Sequence, residues 1–266
     1  MDRVKFPRLN RRRFLLGLPF AALAAAVVDA LWIEPRWLKV RRVRLATGTP
    51  SHRLVHFSDL HFKGDRPFAE KVVRAINRQA PDFVCFTGDI VGDPVDKPEY
   101  LEEALRILAG IKSPLYGVPG NHEYWSKASF APIAGTFSAT GGAWLLDQQL
   151  RTRDGQVTLT GLTCRSTRPA PLKPDRQTKN ILLLHYPAWV KKLADEKYDL
   201  MLAGHSHGGQ VRLPFIGAPQ LAYAVDEYDM GLFQTPHGPL YVNPGIGWFA
   251  TPIRFRCRPE ITVIEL

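Results

Sequence analysis

Cysteine is scarce in this 266-residue chain: Cys85, Cys164 and Cys257 lie far apart, in apolar or strand-like surroundings. No disulfide framework or Cys-x-x-Cys zinc site follows from that spacing, so buried or partly buried thiols are expected. Internal repeats and low-complexity tracts are absent. With 45% apolar residues, 21 Gly and 22 Pro, the composition excludes collagen, a disulfide miniprotein and a disordered chain. The length suits one large domain or two small ones with a substantial core. No run of interleaved basic and aromatic residues is present to track a nucleic-acid strand. The net charge of +10 is local: residues 1–44 hold 11 Lys/Arg against 3 Asp/Glu, and residues 45–266 hold 24 against 22. The body is near neutral, and no nucleic-acid partner is expected.

The basic segment 1–13 ends in Asn10-Arg11-Arg12-Arg13. An apolar, Ala- and Leu-rich run follows over 14–28, then Asp29 and Ala30-Leu31-Trp32-Ile33. A basic stretch ahead of a short apolar one is the layout of an export signal. Arg11-Arg12-x-Phe14-Leu15 also resembles the twin-arginine signal, which serves proteins that fold before crossing the membrane. Two readings stand. Cleavage after small residues, at Ala24-x-Ala26 or Val28-x-Ala30, would release a soluble exported protein. Alternatively, residues 14–33 are enough to cross a bilayer at about 1.5 Å per residue. Asp29 then lies near one end, and Trp32 and Trp37 suit the interface. Residues 1–33 are therefore read as a twin-arginine-like signal or membrane anchor, and 34–266 as the folded domain.

From residue 36 onward the apolar pattern alternates. Strands are expected over 39–46 and 52–58, and a helix over 67–80 with Phe68, Val72, Ile76 and Ala80 on one stripe. A strand over 82–87, a helix over 97–109 with Leu101, Leu105 and Leu108 inward, and a strand over 115–118 complete a layered α/β unit. The second half is richer in strands: 143–146, 149–153, 156–162, 180–184, 199–203, 231–235, 240–243 and 261–266. The second and third of these form a hairpin at Asp154-Gly155. Residues 169–174, with three prolines in six, read as a loop, and both halves fit one domain.

Five strands finish on side chains that bind metals: Asp59-x-His61, Gly88-Asp89, Gly120-Asn121-His122, His185 and Gly204-His205-Ser206-His207. The C-terminal ends of strands in an α/β sheet converge on one crevice. Each motif alone has a plain explanation, as a turn, an Asx turn or a core histidine. Gly-His-Ser-His-Gly-Gly is the most specific, because two imidazoles between glycines suit close backbone approach to an ion. Their conjunction, each after a strand, points to a metal centre. Two carboxylates, an amide and several imidazoles without thiolate suit borderline divalent ions: Mn, Fe or Zn. One central carboxylate can bridge two ions, and a pair about 3.5–4 Å apart suits in-line displacement at phosphorus. Phosphoester hydrolysis is the chemistry such a site serves best.

In order, these motifs resemble the signature of calcineurin-like metallophosphoesterases, from about Leu54 to Gln210, with all five blocks intact. More narrowly, the Arg-Arg-x-Phe-Leu start, residues 204–210 and Cys257-Arg258-Pro259-Glu260 resemble a bacterial subgroup of membrane-associated or twin-arginine-exported phosphodiesterases. That subgroup is similar to the enzymes of the lipid A pathway that hydrolyse UDP-2,3-diacylglucosamine. The resemblance implies an α/β fold, a four-layer α/β/β/α sandwich with a dimetal centre at its strand ends. It implies Asp59, His61 and His207 on one ion, Asn121, His185 and His205 on the other, and Asp89 bridging. His122 is implied to be catalytic rather than a ligand, protonating the leaving group or stabilising the transition state, with a metal-bridging hydroxide as nucleophile.

The expected cofactors are thus two divalent metal ions. The expected substrate is a phosphodiester or pyrophosphate, lipid-linked if the membrane reading holds. An exported phosphodiesterase acting on small diesters and a metal-binding module without turnover are the alternatives. The expected location is the bacterial inner membrane or the periplasm. Glu123 and Tyr124 follow the Asn-His pair and are left unassigned, an orienting role on His122 being one reading; His56 is expected to be structural, His237 to lie at the surface, and Gly208 and Gly209 to serve a turn at the pocket edge.

Overall fold

The computed structural model describes residues 11–92, 98–165 and 172–266. Residues 1–10, the side chains of Arg11, Arg12 and Phe14, Lys97 of the second expected helix, and residues 169–171 of the expected loop lie outside the described set. The Ala-rich run forms helix α1, Arg11–Val28, which continues through a π-helical turn, Asp29–Ile33, and a 3-10 turn, Glu34–Arg36. Leu15, Phe20, Leu23, Trp32 and Ile33 are all at least half exposed, so this helix adds little to the core. Its segment Gly17–Arg36 is long and apolar enough to cross a membrane, with a mean hydropathy of 1.6.

The chain continues as β1 (Lys39–Arg44), β2 (Arg53–Phe57), α2 (Arg66–Arg78), β3 (Phe83–Phe86), α3 (Pro98–Leu108) and β4 (Leu115–Gly117). Next come α4 (Asn121–Trp125), α5 (Phe130–Ala139), β5 (Ala143–Trp144), β6 (Gln148–Arg151), β7 (Val157–Gly161) and β8 (Lys179–Leu183). A 3-10 helix, Pro187–Lys192, precedes β9 (Leu200–Ala203), β10 (Gly231–Thr235), β11 (Gly238–Val242) and β12 (Glu260–Glu265). The strands make two six-stranded sheets, ordered β1-β12-β2-β3-β4-β5 and β10-β11-β9-β8-β7-β6. In the first, β2, β3, β4 and β5 are parallel neighbours; in the second, β7, β8, β9 and β11 are. Strands β3 and β9 are buried on both faces, which is why they read as continuous apolar runs.

Three apolar layers hold this arrangement. Leu54, Cys85 and Tyr116 of one sheet pack against Leu159, Leu183 and Leu202 of the other, forming the central core. Val72 and Ile76 of α2, Leu108 of α3 and Phe137 of α5 cover the outer face of the first sheet. Val190 of the 3-10 helix, Tyr198 and Tyr228 cover the second. The architecture is a mixed α/β sandwich of two sheets flanked by helices. Helix α2 starts where the Asp65 side chain accepts the Phe68 N–H at 3.3 Å, an N-cap.

Two elements depart from the sequence-based expectation. The β6–β7 hairpin turns over Arg153–Gln156 rather than two residues, with Thr152 N–H bonded to Val157 O at 2.8 Å. Helices α4 and α5 fill the stretch after residue 120, to which the sequence pattern assigned no element. Helix α5 contains Pro132, Gly135, Thr136 and Ser138, poor helix formers, and is held by burying Ile133 and Phe137, one turn apart.

Candidate metal centre

Strands β2, β3, β4, β8 and β9 each end at one edge of the sandwich, and their following residues meet there. Asp59, His61 and His207 place ligand atoms within 4.8 Å of one another, as do Asp89, His185 and His205. Asp89 also groups with His61 and His122. Asp89 Oδ2 lies 3.5 Å from His61 Nε2 and 3.2 Å from His185 Nε2, which puts one carboxylate between the two groups. Asn121 Oδ1 lies 3.0 Å from His185 Nε2 and so belongs to the second group. All eight residues singled out from the sequence converge here, and only His205 is more than slightly exposed.

The backbone is bent to achieve this. Asp59, His61, Asp89, His205 and His207 have φ between 39° and 66°, in the left-handed region that non-glycine residues rarely occupy. Five such residues in one cluster mark a place where packing over-determines the chain, a hallmark of ligand-holding sites. Gly120 and Gly204 let these turns approach: a Cβ at Gly120 would meet Asp89 Cγ and His185 Cε1 at 2.7 Å each.

The donor pattern fits cations. His185 Nδ1–H donates to Thr87 O at 2.6 Å, which turns Nε2 toward the Asp89 and Asn121 oxygens; burial lowers this ring, but the Asp89 carboxylate raises it to about 9, so Nε2 carries a proton that an incoming cation would displace. His205 Nε2–H likewise donates to Tyr223 O at 2.7 Å, leaving Nδ1 for the site. Such outer hydrogen bonds are the usual means of fixing a metal-binding tautomer. His61 Nε2 and His207 Nε2 are only 3.0 Å apart, and Asn121 Nδ2, His61 Nδ1 and His207 Nδ1 are buried without hydrogen-bond partners. The Asp59 and Asp89 carboxylate oxygens within 3.4–3.8 Å of these Nε2 atoms make a buried donor set that a cation would satisfy.

Electrostatics agree. Burial pushes the Asp59 and Asp89 carboxyls upward, but neighbouring imidazoles outweigh it and hold both below the carboxylate range, His207 leading for Asp59 and His185 for Asp89. Burial lowers His207, and burial with the His185 charge lowers His205 to about 4, so both rings release a proton readily and can ligate.

The structure also corrects and extends the sequence reading around the site. Glu123 serves the backbone around the site. Its fully buried carboxylate accepts the N–H groups of Asp89 (2.9 Å), Ile90 (2.6 Å) and Gly120 (2.7 Å), clamping the β3 and β4 loops together. Tyr124 packs its ring on Phe130, 5.3 Å away, and under the Arg165 guanidinium. His122 is flanked by Trp125, His61 and Phe249, with ring centroids 4.9, 4.7 and 5.5 Å away, and its N–H donates to Asp89 Oδ1 at 2.9 Å. His56 is structural, buried and bonded to Thr87 Oγ1 at 2.9 Å. His237 is half-buried, with Nδ1 on Glu196 O. Gly208 and Gly209 turn the chain at φ 56° and 76°. All three cysteines are free, Cys85 and Cys257 buried and Cys164 partly so.

Arg254 was invisible in the sequence. Its fully buried guanidinium donates to the carbonyls of Pro244, Gly245, Gly247 and Cys257, tying down the loop whose Gly247 N–H bonds Asp59 O at 2.7 Å. A groove of about 480 Å³ opens from Asp89, Asn121, His122, His205 and His207. Its outer walls are apolar: Trp125, Leu221, Tyr223, Phe249 and Ile253.

Comparison with known proteins agrees with this geometry. The calcineurin-like phosphoesterase profile matches residues 52–209, which span all five motifs. The chain is 30% identical to the uncharacterized metallophosphoesterase YkuE of Bacillus subtilis, over 97% of this chain and 98% of that one. It is 28% identical to the phosphodiesterase YaeI of Escherichia coli, over 97% and 99%. It is also 28% identical to the UDP-2,3-diacylglucosamine pyrophosphatase LpxG of Chlamydia trachomatis, over 91% and 94%. The chain belongs to the calcineurin-like metallophosphoesterase family and is a phosphoester hydrolase.

Proposed function

We propose that the chain hydrolyses a phosphodiester or pyrophosphate at the membrane surface, using two divalent cations held at the strand ends. The observation that carries the dimetal assignment is the position of Asp89 Oδ2 between His61 and His185. Asp59, His61 and His207 would hold one ion; Asn121, His185 and His205 the other; Asp89 would bridge. Such ions supply charge neutralisation at the phosphoryl oxygens and lower the pKa of water in the site.

The chain's own residues do the remaining work. His122 groups with His61 and Asp89, one residue from each ion's set, so its imidazole would lie beside both ions, placed to donate a proton to the leaving-group oxygen. Trp125 and Phe249 flank that ring, fixing its plane and excluding water from it. The Asp89 carboxylate is held by the His122 N–H, and the Asp59 carboxylate by the His205 N–H at 3.0 and 3.2 Å, so neither swings when substrate arrives.

The substrate reading rests on two further features. The groove is polar at the strand ends and apolar at its outer walls, matching a molecule with a phosphoryl group and a hydrophobic part. Segment Gly17–Arg36 would anchor the chain where such molecules reside. A nucleotide-linked lipid such as UDP-2,3-diacylglucosamine fits both. The Arg11-Arg12-x-Phe14-Leu15 sequence favours a second reading, an exported enzyme acting on small diesters. Hydrolysis of an aryl phosphodiester, an aryl phosphomonoester and UDP-2,3-diacylglucosamine, measured side by side with Mn²⁺, separates them. Faster turnover of the lipid supports the first reading; diester cleavage without lipid turnover supports the second.

A further inference from the structure

We infer that the hairpin carrying Phe215 and Ile216 is a second membrane contact, inserted into the bilayer that α1 enters. This rests on the anchor reading above. Residues 211–217 leave the His205–Gln210 turn and fold back at once, with Leu213 N–H bonded to Gly217 O at 2.8 Å and Gly217 N–H to Leu213 O at 3.0 Å. Phe215 at the tip is the most exposed large apolar side chain among the described residues, and Ile216 beside it is 73% exposed. Phe215 also sits at φ 67°, where bulky residues are genuine outliers. A bonded turn that holds two large apolar side chains in water, one of them on strained backbone, is unfavourable on both counts. Contact with a non-aqueous phase removes the first.

The backbone places this tip near the end of the apolar helix. Val211 pairs with Phe255, and Arg212 N–H donates to Phe255 O at 2.9 Å. From the same segment, Arg254 N–H donates to Ala30 O at 3.0 Å, and Arg256 N–H donates to the buried Glu34 carboxylate at 2.7 Å. Hairpin and helix end therefore flank one stretch of chain. The surroundings have the chemistry of a bilayer interface. Trp32 and Trp37 are exposed at the helix end, as in aromatic belts, and exposed Arg256 with the basic run from Arg36 to Arg44 suits anionic headgroups. A lipid surface meets all of these features together.

The test uses the full chain with Phe215→Trp, reconstituted into vesicles of phosphatidylcholine and phosphatidylglycerol. The emission gained over the wild-type chain is read with lipid brominated on its acyl chains and, separately, with acrylamide in the water. Quenching chiefly by brominated lipid is expected. Quenching chiefly by acrylamide places the tip in water and overturns the inference. Protection from both places it under protein, such as a second copy of the chain, and overturns it equally. Unchanged turnover of a soluble aryl diester verifies the fold, and Ile216→Trp repeats the reading should Phe215→Trp fail to fold. A chain that does not float with the vesicles removes the anchor and the hairpin contact together, while soluble diester turnover keeps the hydrolase reading standing.

Discussion

Glu123 is the residue whose removal separates a clamp from a catalytic partner most sharply. Its carboxylate accepts three buried backbone N–H groups from the loops that carry Asp89 and Asn121. Glu123→Ala leaves all three without an acceptor, at about 1–3 kcal/mol each. Burial and the nearby Asp89 carboxylate raise the Glu123 pKa, so deleting the acid also relieves an unfavourable charge and returns part of that loss. The net expectation is a loss of roughly 4 kcal/mol, a large share of the about 5–15 kcal/mol typical of a domain. Glu123→Gln is milder. Its amide oxygen can still serve Asp89 and Gly120, but its NH₂ then faces the Ile90 N–H, for a loss of about 2 kcal/mol. Urea denaturation in chelator gives both values. Metal affinity should fall by about 10–100-fold in the Ala variant, as when groups that support ligands are removed. An unchanged urea midpoint with turnover alone reduced would refute the clamp and return Glu123 to a role on His122.

Three other predictions follow from the same geometry. His122→Ala should bind both metals as the wild type does while losing about 10²–10⁴-fold in turnover of an aryl phosphodiester, and wild-type turnover would remove the proton-donor role. Gly120→Ala drives a Cβ against Asp89 and His185, so calorimetric titration with Mn²⁺ should lose the second site. His56 is buried and held down at about 3 from 6.5, chiefly by desolvation and against the pull of Asp59. Between those values the unfolded chain binds a proton that the native one refuses. Stability of the chelated protein should therefore be lost as pH falls through that window, by up to about 1.4 kcal/mol per unit, and His56→Gln should flatten the slope. Parallel slopes for the two proteins would contradict this.

The strand ends were legible because the buried strands leading to them are mainly apolar, so Asp59, Asp89, Asn121, His185 and His205 stand out as polar breaks. What was not legible depends on three dimensions. Helix α5 has weak local signals, and its Ile133–Phe137 pair gains meaning only against Phe86 and Trp144. The left-handed backbone of Asp59, His61, Asp89, His205 and His207 leaves no mark on residue type, since none is glycine. Glu123 was visible in Gly-Asn-His-Glu, but its partners Asp89 and Ile90, in the loop after β3, lie more than thirty residues away. Arg254 serves backbone carbonyls, which no side-chain pattern reveals, and Glu34 reaches the N–H groups of Arg256 and Cys257 across the whole domain.

The bridging position of Asp89 is the centre of the account, and metal stoichiometry tested together with turnover addresses it most directly. The full chain is stripped with chelator and titrated with Mn²⁺ while bound ion and aryl phosphodiester hydrolysis are followed together, for the wild type and Asp89→Asn. The account predicts two ions per wild-type chain, hydrolysis that rises with loading, and weakening of both sites in Asp89→Asn. Hydrolysis by the stripped protein, or two ions bound as tightly by Asp89→Asn as by the wild type, would contradict it.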